Sequence, residues 1–119
     1  MNKQQKSGKQ PRKPRKVSDE EVRYTLLTMC AEAGLEGKVR PEDVAMAILT
    51  DQWQTLLSRL RLMCKQQAIA GYIEILRKGE VADPEDFKGV IRLRITEAGL
   101  REAAVVEMPK KKKKREGWA

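Results

Sequence analysis

At Gly71 the spacing of the apolar residues changes, and this change constrains the fold more than any other feature of the chain. Before it, apolar side chains recur every three or four residues; after it, they alternate with polar ones. A helix buries a stripe and a strand buries one face. A chain of this length that switches period once must therefore pack a set of helices against a small sheet.

The helical part divides at its capping and breaking residues. Ser18 and Glu21 form an S-x-x-E capping box ahead of Val22, Leu26, Leu27 and Cys30, which predicts a first helix from Asp19 to Ala33, closed by Gly34. Pro41 suits the first position of a second, short helix that buries Val44, Ala45, Ile48 and Leu49. Thr50 or Asp51 is expected to cap a third helix, in which Trp53, Leu56, Leu57, Leu60, Met63 and Cys64 keep helical spacing up to Gly71. A short helix, a tight turn and a longer helix are the parts of a helix-turn-helix, with Trp53 read as core.

Beyond Gly71, Ile73 and Ile75 face one way and Tyr72, Glu74 and Leu76 the other, which predicts a strand. A second alternating run over 90–95 puts Ile91, Leu93 and Ile95 on one side. The segment between them, with Gly79, Pro84 and Gly89, is expected as one long loop, a wing. Leu100, Ala103 and Ala104 suit a short terminal helix within 96–107. The expected fold is α+β and mostly helical: a winged helix-turn-helix of three helices plus a β-hairpin, forming one domain over residues 18–108.

The net charge of +8 is unevenly placed. Residues 1–17 hold seven cations and no acid, and residues 109–119 hold six cations against one acid. Residues 18–108 hold 12 basic and 16 acidic side chains, so the expected domain is mildly acidic. Tails of Lys, Gln, Ser, Gly and Pro cannot bury enough apolar surface to offset their ordering entropy, and both are expected to be disordered. Lys13, Arg15 and Lys16, with Lys110, Lys111, Lys112, Lys113, Lys114 and Arg115, are candidates for sequence-independent phosphate contacts through counterion release. The plainer alternative is that they only raise solubility.

Several classes are disfavoured. The chain has no His, and no Ser, Cys or Lys stands in a nucleophile motif, so no enzyme, cofactor or metal site is expected. Cys30 and Cys64 fall on apolar helix faces and are read as buried free thiols. No apolar run approaches a membrane span, and the basic N-terminal stretch carries no apolar signal core, which suggests a cytoplasmic protein.

Trp53, Leu56, Arg59 and Arg61, followed by Gly71, Ile73, Gly79, Asp83-Pro84, Gly89 and Ile91-Arg92-Leu93, occur in an order that resembles an uncharacterised bacterial domain-of-unknown-function family predicted to have a winged-helix fold. The resemblance covers roughly residues 19–95. It implies the fold, and by analogy with the fold a role in DNA binding. Ser58 stands where the family pattern has proline, and Val81-Ala82 precede Asp83 where valine would be adjacent.

If the third helix reads nucleic acid, its outward face is expected to present Gln54, Thr55, Ser58, Arg59, Arg61 and Lys65, with Gln52 and Gln66 beside them and no acid after Asp51. Gln suits adenine edges, and Arg suits guanine or phosphate. The alternative for Arg59 and Arg61 is ion pairing with acids of the first two helices. Glu80, Asp83, Glu85 and Asp86 outnumber Lys78 and Lys88 in the loop, so the wing is not expected to enter a groove. Arg92 and Arg94 can reach phosphate or pair with Glu74. Five aromatic residues with no strand cluster serve single-stranded RNA poorly. Duplex DNA is the expected partner, with RNA a lesser one. The competing expectation is a winged-helix adaptor for a protein partner, with no base readout; nothing in the sequence sets the oligomeric state.

Overall fold

The computed structural model describes residues 16–108. Over these residues the fold is α+β, with four α-helices and a three-stranded antiparallel sheet. In chain order the elements are α1 (Asp19–Ala33), α2 (Pro41–Ile48), a 3-10 turn (Trp53–Leu56) running into α3 (Leu57–Ile69), β1 (Ile73–Arg77), β2 (Glu80–Val81), β3 (Arg92–Ile95) and α4 (Glu97–Val105).

Each helix starts where its local chemistry dictates. The Ser18 hydroxyl accepts from the backbone N–H of Glu21 at 3.1 Å, and Asp19, Glu20 and Glu21 place negative charge at the positive end of α1. Pro41 opens α2 without wasting a donor. Thr96 caps α4 twice over: its hydroxyl accepts from Gly99 N–H at 3.0 Å and donates to the Gly71 carbonyl at 2.6 Å. That bond ties the start of α4 to the turn leaving α3. The contact is close enough that a Cβ on Gly99 would lie 1.9 Å from the Tyr72 carbonyl oxygen, so only glycine lets α4 dock there.

The third helix departs from expectation at its start. Neither Thr50 nor Asp51 caps it; Gln52 takes a left-handed φ of 63° and a 3-10 turn carries the chain into α3. A cap needs extended backbone at the capping residue, and the reversal at Gln52 puts the entry elsewhere.

The wing also differs. One long loop between two strands was expected, whereas the chain turns back at once through Lys78 and Gly79, pairing Leu76 with Val81 and Arg77 with Glu80. Positive φ at both turn residues, 55° and 82°, is the signature of a two-residue type I′ hairpin. After a last bond from the Ala82 N–H to the Ile75 carbonyl at 2.7 Å, the chain leaves the sheet over residues 83–91 and returns as β3 on the other edge of β1, giving the order β2-β1-β3. β3 is shorter than the run read from the sequence: Val90 is exposed and Ile91 precedes the strand. On the far side of β3, Val39 and Leu93 exchange backbone hydrogen bonds of 2.8 and 2.7 Å, so one residue between α1 and α2 extends the ladder.

The core lies between the inner helix faces and one face of the sheet. Leu26, Leu27, Cys30, Val44, Leu60 and Cys64 meet Ile73, Ile75, Leu93 and Ile95 there, and Trp53 packs half-buried against its edge. Val17 also joins this core. Leu76, expected on the polar face of β1 with Tyr72 and Glu74, is buried too. A polar staple closes one side: Arg23 of α1 donates to Gln67 of α3 at 3.1 Å and to Glu102 of α4 at 2.6 Å, with its guanidinium 5.7 Å from the Tyr72 ring centre. Gln67 is the one buried polar side chain among the described residues, and this bond satisfies it. Cys30 and Cys64 are both buried and free, and burial pushes each thiol up to about 12. No described helix is long and apolar enough to cross a membrane.

Candidate nucleic-acid interface

α3 buries Leu60, Met63, Cys64 and Gln67 and turns its opposite side to solvent. At about 100° per residue, Ser58, Gln66 and Ile69 fall within roughly 40° of Leu62, and these four, with Thr55 from the 3-10 turn before them, make the outward stripe. All five are exposed, and no carboxylate occurs from Gln52 to Ile69. The stripe is uncharged, with Leu62 and Ile69 55% and 56% exposed. Gln54 and Thr55 sit in the 3-10 turn at its upper end, where the Thr55 hydroxyl donates to the Gln52 carbonyl at 2.7 Å.

The three cations expected on this face do not share it. Arg59 and Arg61 are two residues apart and so project about 200° from one another. Arg59 turns toward α1: its Nη2 donates to the Val17 carbonyl at 2.7 Å and to Asp19 Oδ1 at 2.8 Å. Between them, Asp19, Arg59, Leu62, Met63 and Gln66 line a cleft of about 200 Å³. Arg61 turns the other way, its guanidinium 5.1 Å from the Phe87 ring centre and its Nη1 3.5 Å from the Gly89 carbonyl. Lys65 lies on that same flank and pairs with Glu85 at 3.1 Å. The structure therefore places Thr55 and Ser58 on the outward side, leaves Gln54 exposed in the turn before α3, and distributes the cations along the two flanks. Of the two Arg residues weighed for ion pairing with the first helices, Arg59 makes such a pair and Arg61 makes none among the described residues.

These ion pairs hold their cations loosely. The Arg59 and Lys65 side chains are 42% and 39% exposed and their partners more so, which places each pair near 0–1 kcal/mol, at about the level of solvent exchange.

The acid-rich segment folds back instead of projecting. Asp83 Oδ1 accepts from Glu85 N–H at 2.9 Å, the Asp83 carbonyl accepts from Asp86 N–H at 2.9 Å, and Phe87 packs against the core. What extends from the sheet is the Lys78-Gly79 turn, next to Arg77, so the hairpin and the acidic loop are separate features. On the sheet, Arg94 donates to Glu74 at 2.6 Å across the β1-β3 ladder, whereas Arg92 is half-buried and donates to the Ile91 carbonyl at 3.1 Å. Of the phosphate candidates in the tails, Lys16 is described and exposed; Lys13, Arg15, Lys110 to Lys114 and Arg115 lie outside the described residues.

Sequence reasoning passed over the Arg23–Gln67–Glu102 staple and Arg77, and counted Lys78 in the long loop without reading the tight turn it makes. The staple has no local signal, since its members lie 44 and 79 residues apart. The turn did have one, in the Lys78-Gly79 pair between Leu76 and Val81.

Fold and surface together define a small α+β domain that offers solvent one uncharged helix stripe flanked by cations. The chain belongs to the family described as protein of unknown function (DUF3253), whose model matches residues 19–96. No curated protein matches it.

Proposed function

We propose that this chain is a winged-helix protein that binds duplex DNA with little sequence selection, laying α3 against the duplex while the basic tails add attraction. The order of parts supports the fold reading: helix, a single bridging residue at Val39, helix, longer helix, then a strand and hairpin returning beside the bridge. The observation that carries the functional reading is the solvent side of α3, which is free of carboxylates over its whole length and bordered by Arg59 on one flank and by Arg61 and Lys65 on the other. Gln54, Thr55 and Ser58 suit hydrogen bonds to phosphate and base edges, and the tails suit contacts that ignore sequence. On this reading the protein binds and does not catalyse, and it needs no cofactor. Two buried, unoxidised thiols suit a cytoplasmic setting.

The test adds charge where the stripe now has none. In the full chain, Ser58→Glu with Gln66→Glu is expected to weaken binding of labelled duplex DNA by about tenfold or more at moderate salt, without moving the thermal midpoint. The same two acids placed on α4, at Ala104 and Val105, serve as the comparison. Equal losses from both pairs would contradict the proposal.

A second reading is favoured by Leu62 and Ile69, two large apolar side chains exposed on the same stripe. On that reading the stripe docks a protein partner and the tails alone hold nucleic acid. DNA affinity unchanged by the added acids would select it.

A further inference from the structure

Five cations of the described residues stand in ion pairs: Arg23, Arg40, Arg59, Lys65 and Arg94. Around Gly89 a second group is not neutralised in this way. Arg61 reaches the Gly89 carbonyl from α3, and Arg77 reaches the same residue from β1, its Nε lying 3.9 Å from where a Cβ on Gly89 would stand. Lys88 precedes Gly89 in the chain, and Lys78 follows Arg77 in the hairpin turn; both are exposed. None of these four cations makes an ion pair among the described residues. Glu80 is opposite Arg77 in the β1-β2 register and Asp86 is two residues from Lys88, yet neither carboxylate lies within ion-pair distance of a described cation.

Gathering like charges on one backbone residue raises the electrostatic energy of the empty fold, and an anion between them relieves it. Apart from Gly89 and its two neighbours in the chain, Arg77 Nε is the one described atom within 4 Å of that Cβ position. The Arg61 guanidinium, oriented by Phe87, keeps donors free beyond its bond to Gly89. Guanidinium groups match the oxygens of a phosphodiester in both charge and geometry. We infer that the surface at Gly89, approached by Arg61 and Arg77 and with Lys78 and Lys88 adjacent in the chain, seats a backbone phosphate of duplex DNA. The contact joins α3 to the hairpin turn and fixes how α3 lies on the duplex. It rests on the reading of the chain as a DNA-binding protein.

The test is a salt series with labelled duplex DNA and the full chain. Arg77→Gln with Lys78→Asn removes two charges and leaves an Asn-Gly pair, which favours the same type I′ turn. Lys38→Gln with Arg101→Gln removes two equally exposed charges from other elements. The hairpin pair is expected to flatten the log K against log salt slope by up to about 1.8 and to weaken binding roughly tenfold at 0.1 M salt. The comparison pair should stay within about twofold of the unaltered chain. Lys88→Gln, outside the turn, should move in the same direction by about half as much in slope, so the outcome does not hang on the hairpin alone. The inference is overturned if the two pairs lose affinity alike, or if the hairpin pair binds as the unaltered chain does. Failure of the unaltered chain to bind duplex DNA would instead overturn the proposed function, and the phosphate seat at Gly89 with it.

Discussion

Leu60 and Leu62 are the same residue two positions apart on one helix; the first is fully buried and the second 55% exposed. The two sides of α3 that they mark follow different rules. On the inner side Leu60, Met63, Cys64 and Gln67 are fixed by packing from α1 and the sheet, and even the polar member has its bond supplied by Arg23. On the outer side Ser58, Leu62, Gln66 and Ile69 make no side-chain hydrogen bond or ion pair among the described residues, and Thr55 bonds only to the Gln52 carbonyl of its own turn. The difference teaches that apolar character alone did not decide burial here. Position on the helix decided it, and the apolar residues left outside are available for a ligand.

The contrast is sharpest in thiol chemistry. A thiol with its pKa near 12 is ionised about once in ten thousand at pH 8, so Cys30 and Cys64 should resist alkylation by a maleimide in the folded protein. The thiol introduced by Ser58→Cys on the outer side should react at least about a thousandfold faster, since an open thiol titrates near about 8.5. Mass spectrometry of the timed reaction reads both, and equal rates would erase the distinction between the two sides.

Next in size is the core substitution. Leu60→Ala should cost about 2–5 kcal/mol of unfolding free energy, whereas Leu62→Ala should stay within about 0.5 kcal/mol. Denaturant titration compares them directly. A smaller effect belongs to the flank: Arg59→Ala loses an exposed ion pair and one bond to the Val17 carbonyl, and should cost about 1 kcal/mol or less. A larger loss would mean that Arg59 is structural and its exchange with phosphate too costly to serve binding.

The smallest effect extends the comparison to α2. Hydrogen bonds from the Arg40 guanidinium hold the Asp43 carboxyl below its usual range. A depressed carboxyl stabilises the fold above its unfolded value of about 3.9, and that contribution disappears as pH falls through the lower folded value. The small midpoint difference between the unaltered chain and Arg40→Ala should therefore be present at pH 7 and vanish in strong acid, as thermal melts across pH would show.

What the sequence made legible was local. The Ser18 cap, Pro41 at the head of α2, the change of period at Gly71 and the Glu74–Arg94 pair each depend on residues close in the chain or opposite in a simple ladder, and each is present. The features that escaped it depend on tertiary partners or on backbone reversal. Gln52 enters the left-handed region where a capped helix start was expected, and the two-residue β2 is too short to show a period. For the candidate interface the residue types were readable but their availability was not. Arg59 is engaged by Val17 and Asp19, which are 42 and 40 residues away, and no pattern on the helix announces partners at that distance.

The most direct measurement is a map of backbone amide chemical shifts in the full chain as unlabelled duplex DNA is added. The account predicts that the largest changes fall at Gln54, Thr55, Ser58 and Gln66 on the outer side of α3 and at Gly89, with α4 unmoved. Changes confined to the tails, or centred on α1 and α4, would contradict it.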